Sequence, residues 1–279
     1  MPVLTVYRHG STAGVAPMKN DHLRALRAEI GGWSEGATRR NTRFLYSVRE
    51  DLLTGAGVAV TLTLRTCPPT ARDWHRIRRA WEKRMVRAGM VRLHWVTEWQ
   101  RRGVPHLHAA IWFPDAYDTI TPTRAWVDLA GQYGAGLRGQ HARPIDGPVG
   151  WFQYLSKHAA RGVKHYQRSS ENIPDGWLKQ TGRMWGKSGD WPCREAVRLD
   201  LQGTHGDGGF FAYRRLIRAW RIADARASCD AFRIKSARSM LACNDRSQSS
   251  VRGVSEWVPE AVTMAMVGNL AERGYSIHS

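Results

Sequence analysis

The chain has 279 residues, 42% of them hydrophobic, with 42 Lys and Arg against 24 Asp and Glu for a formal charge of +18. That apolar share is enough for a core and excludes wholesale disorder, and no apolar run nears the roughly 20 residues of a membrane span. Four cysteines (Cys67, Cys193, Cys229, Cys243) with no CxxC pair argue against a zinc ribbon and a disulfide scaffold.

A reducing compartment is therefore expected, and the first residues carry no charged-then-apolar leader, so secretion is not. The basic residues divide into 35 Arg and 7 Lys. A planar guanidinium holds two phosphate oxygens at once. A GC-rich coding sequence explains that ratio equally well, but not the net charge. The charge points to a polyanion partner, most simply nucleic acid. Thirteen tryptophans offer flat surfaces for unpaired bases, although packing is the expected role of most of them.

In chain order, residues 1–17 read as an irregular leader. Helix-like spacing follows over Asn20–Ile30 and Gly36–Leu53, ended by Gly55 and Gly57. Val58–Arg65 alternates between apolar and small or polar residues and predicts a half-buried strand. Thr70 and Asp73 form a capping-box-like pair that opens a helix to about Ala88, stopped by Gly89. Val91–Trp99 and Pro105–Phe113 predict a hairpin turned by Arg101, Arg102 and Gly103.

Thr121–Tyr133 predicts a helix, His141–Ile145 a short strand, and Val149–Arg161 a helix with Phe152, Leu155 and Ala159 facing inward. Residues 162–192 show little period. Arg198–Leu201 reads as a last strand and Gly203–Gly209 as a linker. Tyr213–Arg226 reads as a basic amphipathic helix, and residues 229–279 are weakly patterned. The order is that of an α+β fold: a central antiparallel sheet with flanking helices, then a small, mainly helical C-terminal extension. Three segments result: a helical 1–55, a central domain over 56–202, and a basic extension over 203–279.

His106-Leu107-His108 lies inside the third strand, where alternation puts both imidazoles on one open face. Eleven histidines give roughly 0.4 such triplets by chance, so the triplet alone says little. The hairpin brings Glu98 close to it. Two imidazoles and a carboxylate make a three-ligand site that accepts Mg²⁺ or Mn²⁺. The competing reading of Glu98 is an exposed carboxylate paired with Arg101 or Arg102. His94, two pleats away on the same face, is a distant fourth candidate. On the later helix, Tyr154 and Lys157 share a face with His158 and Arg161 nearby. A tyrosine among cations loses its proton more readily and can attack phosphorus.

With these residues in hand, the chain resembles the HUH endonucleases, the rolling-circle replication initiators of filamentous phages, plasmids and small single-stranded DNA viruses. VAVTLTLR at 58–65 is similar to the first family motif, PHLHAAIWF at 105–113 to the metal motif and YLSK at 154–157 to the catalytic one. The resemblance covers roughly residues 40–200 and implies an RRM-like sheet. It implies Glu98, His106 and His108 as metal ligands, Tyr154 as nucleophile and Lys157 as its phosphate-positioning partner. The reaction implied is reversible nicking of single-stranded origin DNA through a 5′-phosphotyrosine. Tyr166 is too far along to share the helix face, so a single-tyrosine enzyme is expected. Expected with it are a host helicase as partner, because Gly182–Ser188 is one residue short of a P-loop, and a bacterial host cytoplasm as location.

Three other readings compete: a single-tyrosine transposase or mobilisation relaxase, a non-catalytic nucleic-acid-binding module with an RRM-like sheet, and a metal hydrolase built on the two histidines. Residues 177–191 (with Trp177, Lys179, Arg183, Trp185, Lys187 and Trp191) are a candidate DNA contact surface. The basic residues of helix 70–88 and Arg214, Arg215, Arg218 and Arg221 read as solvated faces or as a track for phosphates.

Overall fold

The computed structural model describes residues 2–15, 31–160, 167–177, 180–201, 208–238 and 253–279. The helix expected over Asn20–Ile30 lies outside them, as does most of the linker expected over Gly203–Gly209, whose last two residues, Gly208 and Gly209, instead open a helix. The fold is α+β, with two antiparallel five-stranded sheets and seven α-helices among the described residues. The chain divides into two units: residues 24–45 with 49–193, and residues 1–23, 46–48 and 194–279.

In the first of these, helix α1 (Glu35–Ser47, its last residues counted to the other unit) leads to strand β3 (Ala56–Thr63), numbered after two strands given below. Helix α2 (Ala71–Arg87), strands β4 (Arg92–Trp99) and β5 (Pro105–Phe113), helix α3 (Ile120–Ala130), strand β6 (His141–Pro144), helix α4 (Pro148–Ala160) and strand β7 (Trp185–Ser188) follow. The sheet order is β6-β3-β5-β4-β7, which places β5 at the centre. The strands expected over 58–65, 91–99, 105–113 and 141–145 form, as do the helices expected from Thr70, Thr121 and Val149, within a few residues of their expected bounds, while the helix expected over Gly36–Leu53 already ends at Ser47. The Thr70 hydroxyl accepts from the Asp73 amide and caps α2. Thr70→Ala should cost about 1 kcal/mol, read as a lowered midpoint in urea unfolding followed by tryptophan fluorescence.

The β4–β5 turn closes through Gln100 and Val104, with Gly103 at φ +71°, a conformation that favours glycine. Every residue of β5 is buried. One face of the sheet is covered by α2 and α3. There the Trp74 Nε1–H donates to the Thr97 hydroxyl, and Trp126 Nε1–H donates to the Thr63 carbonyl. On the other face Phe44 of α1 stacks on His94, and Phe152 of α4 packs near Trp112. Ten of the thirteen tryptophans are buried, so packing rather than base stacking is their main role.

The other unit corrects the expected organisation. Residues 2–15 are no irregular leader: strands β1 (Pro2–Val6) and β2 (Gly10–Val15) form a hairpin. It pairs with β8 (Val197–Leu201) and β9 (Gly253–Trp257), and β10 (Ile277–His278) completes the order β10-β8-β1-β2-β9. Helices α5 (Gly208–Ala227), α6 (Ala231–Arg238) and α7 (Glu260–Glu272) belong to this unit. The two ends of the sequence therefore share one core, built from Leu4, Val6, Leu199, Leu201, Tyr213 and Leu270 among others. This replaces the separate helical 1–55 and extension 203–279, because Leu4 and Val6 can be buried only against partners distant in sequence. Within the unit Arg214 is buried and Arg221 pairs with Glu256, so α5 is not simply a solvated basic face.

Candidate metal centre and tyrosine site

The site is assembled by strand register. On β5, His106 lies opposite Glu98 of β4 and Thr63 of β3, while His108 lies opposite Val96 and Thr61. Alternation sends Glu98, His106 and His108 to one side of the sheet, with Leu107 and Ala109 on the other. One ligand atom from each of the three residues falls within a 4.8 Å cluster, the sole such group of metal-ligating side chains among the described residues. The two imidazole rings stand 4.5 Å apart and nearly perpendicular.

The face is buried, contrary to the open face that the sequence led us to expect. His106 and His108 are 6% and 4% exposed and Glu98 is 1% exposed. The cover comes in part from α4 and the segment after it, which alternation within β5 gives no sign of. Burial, with Arg102 adding its charge, pushes His106 down to about 4, so this imidazole is neutral at pH 7. Both of its ring nitrogens are buried without a hydrogen-bond partner among the described residues. Such atoms cost about 1–3 kcal/mol unless a ligand satisfies them. Neutral imidazole nitrogens beside a carboxylate fit a divalent cation.

The Glu98 carboxylate divides its two oxygens. Oε1 accepts from Arg168 Nε at 3.0 Å, with Nη2 of the same arginine also 3.0 Å away. Oε2 lies 3.8 Å from His108 Nε2. The other nitrogen of His108, Nδ1, shares a 2.9 Å hydrogen bond with the Thr61 hydroxyl. A partner at Nδ1 fixes the ring and leaves Nε2 directed at the cluster.

Arg168 was missed by sequence reasoning. It is 1% exposed, its guanidinium lies 4.0 Å over the Trp33 ring, and its Nη2 donates to the Leu155 carbonyl of α4. No local pattern announces it, since it sits in a polar stretch 70 residues beyond its carboxylate. Thr61 did carry a signal, being on the small and polar side of the alternating strand.

Tyr154 is brought to the cluster. Its ring meets the His108 ring edge-on at 5.5 Å and stacks on Trp151 at 5.1 Å. Phe152 and Leu155 are buried beneath the helix, as expected. Lys157 lies in α4 one turn beyond Tyr154, but its side chain, that of His158, and residues Arg161 and Tyr166 lie outside the described residues.

His94 is not brought in as a ligand: its Nε2–H donates to Asn41 Oδ1 at 2.7 Å between aromatic neighbours, and burial pushes it down to about 3. In the 177–191 stretch, Trp177 and Trp191 are buried, so these rings pack inside rather than meet DNA. Gly186-Lys187-Ser188 lies in edge strand β7 beside β4, which removes any phosphate-loop reading.

A buried, cation-ready cluster on central strands with a tyrosine-bearing helix against it defines the class of site. Comparison with known proteins shows a family of replication-associated proteins. The family described as replication-associated protein ORF2/G2P matches residues 57–161, from β3 to the end of the tyrosine helix. A protein of Xylella fastidiosa strain 9a5c that carries a replication-protein name is 64% identical over the full length of both chains. The replication-associated protein G2P of Pseudomonas phage Pf3 is 48% identical, over 99% of each chain. The chain belongs to this G2P family of replication-associated proteins. No solved structure matches it. No helix among the described residues is long and apolar enough to cross a membrane.

Proposed function

We propose that the protein is a rolling-circle replication initiator of the HUH type, which nicks and rejoins single-stranded origin DNA. The observation that carries this reading is the Tyr154 ring packed against His108 of the Glu98–His106–His108 cluster. The replication names of its relatives favour an initiator over a transposase or relaxase.

Glu98, His106 and His108 would hold Mg²⁺ or Mn²⁺. A bound divalent ion supplies charge neutralisation at the non-bridging oxygens of the scissile phosphate. The Tyr154 hydroxyl attacks phosphorus as the P–O3′ bond breaks. The tyrosine loses its proton and the departing O3′ gains one, leaving a free 3′-OH and a 5′-phosphotyrosine. The phosphodiester count is unchanged, so a later 3′-OH can reverse the step and seal the strand. Lys157, one helical turn on, would hold the phosphate and offset its growing charge. A host helicase would open the duplex, since the sequence carries no complete nucleotide-binding loop.

The test is covalent trapping. Purified protein is mixed with labelled single strands spanning its replicon's origin, with Mn²⁺, with chelator, or as His106→Ala. A labelled band that survives denaturation is expected only from wild type with metal. Retention of DNA on a native gel with no adduct from any origin fragment would instead favour the non-catalytic binding module.

A further inference from the structure

On the face of the sheet opposite the histidines, α2 and the segment before β7 enclose a cleft of about 520 Å³. It is lined by Thr70, Ala71, Gly176 and Gln180, by His75, and by four guanidiniums: Arg72, Arg78, Arg79 and Arg183. Among the described residues no carboxylate lines it. The two carboxylates of α2 are engaged otherwise, Asp73 with Thr70 and Arg76, and Glu82 with Arg78 and Ser188. The geometry points to a phosphate subsite that grips the backbone of single-stranded DNA away from the reacting phosphate. This inference rests on the DNA-binding reading above.

Three observations carry it. First, the cleft is built. His75 Nε2 bonds the Thr181 carbonyl at 2.8 Å, and Gly182, at φ +68°, lies so close that a β-carbon there would stand 2.7 Å from that nitrogen. The segment is thus held against the helix. Second, Arg78 is only 8% exposed, lies 4.0 Å over the Trp95 ring, and has a buried Nε with no hydrogen-bond partner among the described residues. Glu82 already pairs with the Arg78 charge, so it is the spare donor capacity of the buried Nε, beside three more guanidiniums, that a shared anion would satisfy. Third, the first turn of α2 ends at this cleft, and its unsatisfied amides add positive potential.

The lining also selects between sources of phosphate. No phenyl or indole ring lines the cleft, so it offers no sandwich for the base of a free nucleotide. A backbone phosphate needs none, because its base can point outward. A strand held here and at Tyr154 would pass around the edge of the sheet.

The double variant Arg72→Ala/Arg183→Ala removes two exposed members of the cleft, and thermal melting checks that the fold is retained. Binding of a labelled single strand is followed by fluorescence anisotropy across a salt series. Removing two contacts should weaken binding about tenfold near 0.1 M salt and lower the slope of log affinity against log salt by roughly 1.4. The control Arg87→Ala/Arg124→Ala loses the same charge elsewhere and should bind like wild type. Equal affinity for the two double variants would overturn the subsite. So would calorimetric uptake of ATP that the cleft variant loses while its DNA affinity is unchanged. Wild type that fails to bind single strands at all would instead sink the initiator reading itself.

Discussion

Tyr154→Phe should abolish the covalent DNA adduct, by a factor on the order of 10⁴ or more, the scale of losing a covalent nucleophile. The reason is narrow: the substitution removes one oxygen and keeps the ring. The ring's contacts with Trp151 and His108 are ones that phenylalanine can make as well. Stability should change by less than about 1 kcal/mol, and affinity for single-stranded DNA should be unaltered. The readouts are a denaturing gel for adduct, thermal melting for fold and anisotropy for binding. An adduct of normal yield from Tyr154→Phe would move the nucleophile elsewhere, with Tyr166 the next residue to replace.

Arg168→Met is expected to damage both fold and site. The arginine forms an ion pair with the Glu98 carboxylate, which is 1% exposed. Removing one member of a buried pair costs about 3–5 kcal/mol, because the remaining charge stays out of water. Glu98 then escapes that cost only by taking up a proton, which spoils it as a ligand. The same side chain ties the Leu155 carbonyl of α4 to β4, so the variant should also loosen the tyrosine relative to the cluster. Misplacement of about 1 Å can cost 10²-fold in rate.

Two measurements separate these effects. Denaturant unfolding of Arg168→Met should show the stability loss, with partial recovery on adding Mn²⁺, since an ion bound only to the folded state opposes unfolding. Arg168→Lys should recover part of the stability but not the adduct rate, because a point charge cannot span the carboxylate and the carbonyl as a guanidinium does. Wild-type stability and adduct rate in Arg168→Met would rule out this tie.

The placement of the histidine–glutamate cluster was legible in the sequence where it is local. Residues 105–113 carry their strand in their own alternation, and a tight turn carries Glu98 to His106 with no need of distant contacts. Thr70 and Asp73 mark the start of α2 by the hydrogen bond they make. What was hidden is what depends on distant partners. Strand β7 has four residues, one of them glycine, and exists because β4 offers an edge. The hairpin at 2–15 has short apolar stretches that become a sheet only against residues near 200 and 255. Arg168 has no period to reveal it, and its role follows from the burial of Glu98, which the expected open face concealed.

The order β10-β8-β1-β2-β9 also sets a timetable for biosynthesis. The hairpin at 2–15 is translated well before its flanking partners at 197–201 and 253–257. At about 5–20 residues per second, the wait from residue 15 to residue 257 is roughly 10 to 50 seconds. The β1 edge lacks its partner until residues 197–201 are made, and the β2 edge lacks its partner until residues 253–257 follow. The tyrosine-bearing unit faces no such delay, since its own sheet is complete once residue 188 has emerged. A nascent chain can therefore assemble its chemistry before it can close its ends.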